Sequence, residues 1–186
     1  MRPAPVTTLA LYEDLLAPGE RRSLAAANRV LFVASGEASS LGANEAWFGD
    51  GEARVQAGHE GATVLRWELT DWEPEGAKVA ARIELDPWSD YLMRCERVQL
   101  EPGSSPTGRA GPGIRCLLSG ALRLSGSSER TLSPLDAWYE EAHAAETTAT
   151  ESGAALVRVV VLPADAPRDA QPGERTTVLV DEPVRL

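Results

Sequence analysis

Histidine and lysine are nearly missing from this sequence of 186 residues, which holds His59, His143 and a single lysine, Lys78. One lysine in a Pro/Gly-rich, charged stretch leaves little for Schiff-base chemistry. Basic residues are outnumbered overall, Lys+Arg 18 against Asp+Glu 28, for a formal net charge of −10. Such a chain repels phosphate backbones and anionic membrane surfaces, which argues against nucleic acid and membrane as partners. Cysteine is scarce too. Cys95 and Cys116 match no metal or redox spacing and sit in apolar runs, so they read as two buried thiols. Long hydrophobic runs are absent, none approaching the ~18 residues of a membrane span. The first twenty residues bring in Glu13 and Asp14 early and lack the apolar stretch of a secretion signal, so the expectation is a cytoplasmic protein. No Gly-x-Ser-x-Gly elbow and no Gly-rich loop followed by Lys occurs, which leaves Ser-His-Asp hydrolysis and phosphate cradling without support.

What the sequence does have is an internal repeat. Pro18-Gly19 precedes a run VLFVASG ending at Gly36, and Pro102-Gly103 precedes IRCLLSG ending at Gly120, with 17 residues from glycine to glycine in both. LGANEAWF (Leu41 to Phe48) then matches LSPLDAWY (Leu132 to Tyr139), and ATVLR ending at Arg66 matches AALVR ending at Arg158. Trp47 to Arg66 spans 19 residues and Trp138 to Arg158 spans 20. Landmarks recurring in order, at offsets of 84 to 92 residues, indicate a duplicated unit.

Each half reads as β structure. RVLFVAS, TVLRWEL, CERVQL, RCLLSG, ALRL and ALVRVVVL are short and rich in branched residues, and turn formers such as GDGE, PGSSPTG and SGSSE separate them. Strands at this spacing predict a sandwich or barrel. Thr7 to Leu16 is compatible with a helix or with a strand. Residues 71–90, where Pro, Gly and charge concentrate, read as a connection between residues 1–70 and 91–186. A final strand is expected in TTVLV.

These landmarks resemble the cupin superfamily, small jelly-roll barrels that often occur in tandem as bicupins. LEPGSSPTGRAGPGIRCLLSGALRL is similar to the first cupin motif, and LSPLDAWYEEAHAAE followed by ALVRVVVLP is similar to the second. The stretch is also similar to bacterial cupin-2-like proteins. The resemblance implies an all-β fold of two tandem cupin barrels, the first of them degenerate. It also implies a metal held by three imidazoles and a carboxylate, a set that suits iron, manganese, nickel or zinc. The corresponding positions here are Thr107, Arg109, Gly113 and a place near Ala145 in the second half, and Ser23, Ala25 and Arg29 in the first. None of these is a ligand. The expectation is therefore a barrel without the family's metal and without another cofactor.

Alternation along the strand from Thr107 to Gly120 would point Thr107, Arg109, Arg115 and Leu117 inward, with Glu140, and also Trp138 or His143, approaching from the second motif. Arginine is a bidentate anion donor, so Thr107, Arg109, Arg115 and Glu140 form a candidate pocket for a small anionic or polar molecule. The competing reading is an internal Arg115–Glu140 ion pair that only fills the barrel, since a buried charge needs a partner in either case. His143 is a weak candidate general base; His59, in QAGHEGA, reads as a turn. Trp47 and Trp138 at matching positions read as core, while Trp67, Trp72 and Trp88 flank the connection and could pack barrel against barrel. Three functional readings stay open: a metal-free binding or regulatory cupin, a cupin enzyme (a metal-independent isomerase or epimerase, or a metal-dependent dioxygenase), and a structural protein with filled barrels. Pairing of barrels through their edges makes a homodimer a further expectation.

Overall fold

A computed structural model of the chain describes residues 6–106, 111–125, 129–141, 146–166 and 174–184, and every regular element in them is a β-strand. The strands are β1 (Val6–Leu16), β2 (Arg21–Leu24), β3 (Asn28–Ala38), β4 (Ala46–Gly49), β5 (Ala53–Thr70) and β6 (Val79–Glu84), then β7 (Tyr91–Leu100), β8 (Gly113–Ser125), β9 (Arg130–Leu132), β10 (Ala137–Glu140), β11 (Glu146–Pro163) and β12 (Glu174–Pro183). They build two antiparallel sheets. One has the order β4-β3-β5-β1-β6 with β2 joined to β5; the other has β10-β8-β11-β7-β12 with β9 joined to β8. No helix among the described residues is long and apolar enough to cross a membrane.

The chain divides into two compact units, Met1–Asp90 with Glu182–Leu186, and Tyr91–Asp181. The stretch 71–90, expected as a connection, lies within the first of these units. That stretch carries β6, which pairs with β1 from Val6↔Glu84 to Leu11↔Val79. Pro74 and Gly76 mark a turn ahead of it, and VAARIE is too short and too poor in large apolar residues to stand out beside them. Thr7 to Leu16, open between helix and strand in the sequence, is strand β1, held on both sides by β5 and β6.

Within each unit the repeat is carried by the hydrogen-bond register. Arg66 of β5 faces Tyr12 of β1 and Leu31 of β3, and Leu31 in turn faces Trp47 of β4. Arg158 of β11 faces Glu96 of β7 and Arg115 of β8, and Arg115 in turn faces Trp138 of β10. The two rows therefore correspond position by position: Tyr12–Arg66–Leu31–Trp47 and Glu96–Arg158–Arg115–Trp138. Opposed residues of an antiparallel pair project to the same face, so each row lies on one side of its sheet. The loops entering β4 and β10 also match. Val33 N–H donates to Glu45 O at 3.0 Å and Asn44 N–H to Val33 O at 2.8 Å; Leu117 N–H donates to Asp136 O at 2.9 Å and Leu135 N–H to Leu117 O at 2.7 Å. Asn44 and Leu135 both take the left-handed conformation, φ 69 and 70, which suits asparagine and strains leucine.

The face that carries the rows is apolar along part of its length. In the first unit Leu16, Leu24, Leu31, Val33, Val55 and Val64 cluster there; in the second, Val98, Leu100, Leu117, Leu122, Leu132, Leu156 and Trp138 do. The opposite face is buried as well: Leu65, Trp67 and Leu69 alternate with the row residues of β5 and are almost inaccessible. Burial on both faces explains why part of each long strand, 30–33 in β3, 64–69 in β5 and 156–162 in β11, reads as a run without alternation.

Candidate functional site

Strands β7, β8, β10 and β11 bring a set of charged groups onto the face that continues from the apolar cluster of the second unit. Along β7 the residues Arg94, Glu96, Val98 and Leu100 share this face, and β12 adds Asp181 beside Arg94. Arg158 Nε lies 2.6 Å from Glu96 Oε2, and both side chains are fully buried. Arg94 makes a bidentate pair with Asp181, at 3.0 and 3.1 Å. Arg115 and Glu140 form a buried ion pair through Arg115 Nε and Glu140 Oε2. The register explains the arrangement. Arg115 and Arg158 are directly opposed like charges, an unfavourable juxtaposition by itself, and the carboxylates of Glu96 and Glu140 flank them.

Glu140 has its proton affinity raised, because burial outweighs the opposing pull of Arg115 and the nearby Arg158 guanidinium. A carboxyl whose value is higher in the folded chain than in the unfolded one contributes stability below its unfolded value and loses it as pH climbs through the folded value. The expected result is that the wild-type chain loses stability relative to Glu140→Gln as pH rises above the ordinary carboxylate range. Urea midpoints of both proteins across a pH series measure it, and a constant difference would contradict the assignment.

The buried polar atoms of this face that have no hydrogen-bond partner among the described residues include the Trp138 indole Nε1–H and Glu140 Oε1. These two sit two residues apart on β10, and Trp138 is 7% exposed and Glu140 5%. Buried donors and acceptors are ordinarily satisfied, and one left unmade costs about 1–3 kcal/mol.

The first unit fills the corresponding space differently. Arg29 donates from Nε to Glu68 at 2.7 Å, from Nη1 to Gly51 O at 3.1 Å, and from Nη2 to Ala25 O. Arg66 grips Asp14 through Nε at 2.7 Å and Nη2 at 3.3 Å, reaches Glu68 through Nη1 at 2.8 Å, and lies 3.9 Å from the centre of the Tyr12 ring. Arg22 closes the chain of charges on Asp14 at 2.7 Å. Leu31 stands where the second unit has Arg115, and Gly49 where it has Glu140. A Cβ on Gly49 would come within 2.1 Å of the Trp47 ring, so the indole lies over the backbone of residue 49.

Of the residues singled out by the sequence, Arg115, Leu117, Trp138 and Glu140 come together on one face, while Thr107, Arg109 and His143 lie outside the described residues. Trp47 corrects the expectation of core packing: it is 41% exposed, because Gly49 lets its ring fold outward over the strand, whereas Trp138 packs in the apolar cluster. Trp88, expected to pack between barrels, is 92% exposed. It is held in a turn in which Asp86 accepts from Trp88 N and Ser89 Oγ. His59 is no turn residue; it belongs to β5 and is solvent-exposed. Cys95 and Cys116 are free and buried, and burial holds the Cys95 thiol well above its ordinary range. A groove of about 820 Å³ lined by Pro102, Gly103, Arg123, Ser125 and Thr148, among others, shares no residue with the charged set.

No family model matches the chain, and no curated protein matches it in sequence. Solved structures do match. Salicylate 1,2-dioxygenase from Pseudaminobacter salicylatoxidans aligns at 12% identity and a TM-score of 0.57, over 94% of this chain and 75% of that one. A cupin 2 conserved barrel domain protein from Leptotrichia buccalis aligns at 12% identity and TM-score 0.51, over 85% of each chain. The fold is that of the cupins. The protein YhaK from Escherichia coli agrees, at 16% identity and TM-score 0.51, over 82% of this chain and 84% of that one.

Cupin likeness raises the question of the family's metal, and the residues present do not fit one. At Gly113, which the sequence resemblance aligns with the carboxylate ligand, an added Cβ would lie 2.5 Å from Val160 Cγ1 and 2.9 Å from Val159 O, so a side chain has no room there. The residue at the matching register position of the first unit is Arg29. No group of three or more His, Cys, Asp or Glu converges among the described residues. The carboxylates on the interior face of the second unit are instead each paired with a guanidinium group, Glu140 with Arg115, Glu96 with Arg158 and Asp181 with Arg94, so they are engaged by a competing cation. The pairs Arg158–Glu96, Arg94–Asp181 and Arg29–Glu68 were missed by sequence reasoning. Their signal was a lone charge beside or inside an apolar run, as in NRVLF and LVRVV, which has to find a partner of opposite sign.

Proposed function

We propose that this chain is a cupin that binds a small polar molecule inside its second barrel without a metal, in a binding or regulatory role. The observation that carries the reading is the pair of unsatisfied buried atoms, Trp138 Nε1–H and Glu140 Oε1, beside Arg115. A barrel interior serving only as packing has no reason to keep a donor and an acceptor both buried and unmade. The first barrel acts as scaffold, a reading favoured by the complete engagement of the Arg29 guanidinium by Glu68, Gly51 and Ala25. Salicylate 1,2-dioxygenase takes a small aromatic carboxylate, so compounds of that size are the first to test.

The test is a thermal-shift screen of the full chain against benzoate, benzamide, glucose and inorganic phosphate, repeated on Trp138→Phe. That variant keeps the ring and removes the N–H. At least one compound is expected to raise Tm by several degrees in the wild-type chain and to lose most of that effect in the variant, as linkage requires. Stabilisation by none of them, or equal stabilisation of the variant, would refute binding at this site. Elemental mass spectrometry on protein purified without a histidine tag is the complementary measurement, and a stoichiometric transition metal would overturn the metal-free part of the reading.

A further inference from the structure

The charge pattern around Trp138 and Glu140 narrows the chemistry of the ligand, and this step rests on the binding reading above. On the interior face of the second unit, three guanidinium groups among the described residues each have a carboxylate: Arg115 has Glu140, Arg158 has Glu96, and Arg94 has Asp181. The described charges balance with nothing left over. An anion bound here would add a negative charge beside Glu140 in surroundings that strengthen every repulsion. It would also have to compete with a carboxylate for a guanidinium already paired, or force a proton onto Glu140. The indole of Trp138 and the second oxygen of Glu140, both among the buried atoms without a hydrogen-bond partner, ask for something else. Trp138 Nε1–H is a donor and needs an acceptor; Glu140 Oε1 is an acceptor and needs a donor.

We infer that the second barrel recognises an uncharged molecule carrying both a hydrogen-bond acceptor, for the Trp138 indole N–H, and a donor, for Glu140, as a primary amide does. Discrimination follows from the same geometry. A carboxylate of identical shape satisfies Trp138 and presents a second acceptor to Glu140, so it leaves one acceptor facing another. A site built around a specific donor rejects an analogue that lacks it much more strongly than a size difference would.

Matched pairs test this: acetamide against acetate and benzamide against benzoate, titrated calorimetrically into the full-length wild-type chain at pH 7. The Trp138 indole 1H–15N cross-peak, assigned by its loss in Trp138→Phe, is followed in parallel. The amide of at least one pair is expected to bind at least tenfold more tightly than its carboxylate and to shift the Trp138 cross-peak. A carboxylate that binds more tightly and shifts the same peak would overturn the uncharged class while leaving the pocket in place. Failure of all four compounds to move that peak overturns both this inference and the site itself. The calorimetric comparison uses the wild-type chain alone, so it stands even if Trp138→Phe folds poorly.

Discussion

Arg158→Met is expected to destabilise the second unit by about 3–5 kcal/mol, the range for removing one partner of a buried ion pair. Arg158 and Glu96 are both fully buried and 2.6 Å apart, so the variant leaves the Glu96 carboxylate in a dry strand interior with its main counter-charge gone. The same guanidinium also helps hold Glu140 ionised, so its loss pushes Glu140 further toward the protonated form. The double variant Arg158→Met/Glu96→Leu is expected to recover much of the loss, because it removes the buried charge along with its partner. Urea denaturation of the wild type, both single variants and the double variant measures the coupling. Additive losses would mean that the pair contributes packing volume and no electrostatic interdependence. The first unit supplies the comparison: its equivalent of Glu96 is Tyr12, and Arg66 there turns to Asp14, Glu68 and the Tyr12 ring. Arg66→Met should therefore cost less than Arg158→Met, because Arg22 still pairs with Asp14 and Arg29 with Glu68, and should show coupling to Asp14 rather than to the residue in register with it.

How much of this was legible beforehand depends on which interactions are local. The repeat was readable because the landmarks Gly36/Gly120, Trp47/Trp138 and Arg66/Arg158 are identical residues at matched spacing, and each proved to occupy the same register position. The Arg115–Glu140 contact was foreseen because both lie in motifs whose strands pair in the family resemblance. Arg158 and Glu96 lie 62 residues apart, and no local pattern ties a charge on β11 to one on β7; only the register does. The outward turn of Trp47 depends on Gly49, two residues along, a difference that a comparison of tryptophans alone overlooks. Strand β6 was hidden by its own shortness and by the Pro, Gly and charged residues before it. Residues 107–110 and 142–145, which hold Thr107, Arg109 and His143, lie outside the described residues, so the candidate site rests on β7, β8, β10, β11 and β12.

Gly120→Ala should cost far more than Gly103→Ala, although both glycines have nearly the same backbone conformation. Their φ values are 78 and 74, so an alanine at either pays for the left-handed region, about 1–2 kcal/mol. At Gly103, which follows Pro102 in a tight turn closed by Ser104 N–H to Glu101 O at 3.0 Å, an added Cβ meets nothing within 4 Å. At Gly120 the Cβ would stand 2.2 Å from Gly153 O, a backbone atom that cannot swing aside. Gly153 is itself fixed, with φ 70 and a Cβ position 2.8 Å from Leu100 O. The three strands β7, β8 and β11 thus cross at a corner with room for no side chain, and the ladder between β8 and β11 shifts register on either side of it. Overpacking adds about 1–3 kcal/mol to the conformational cost, so Gly120→Ala is expected to lose about 2–5 kcal/mol and Gly103→Ala no more than about 2 kcal/mol. The first unit repeats the corner, with Gly36 2.2 Å from Gly61 O and Gly19 in open space. Chemical denaturation of all four alanine variants therefore contains its own control. Equal losses at Gly103 and Gly120 would show that the strands relax apart at the corner and that conformation alone selects glycine there. A large difference in both units would establish that close backbone approach, preserved through the duplication, is what bends each long strand into its barrel.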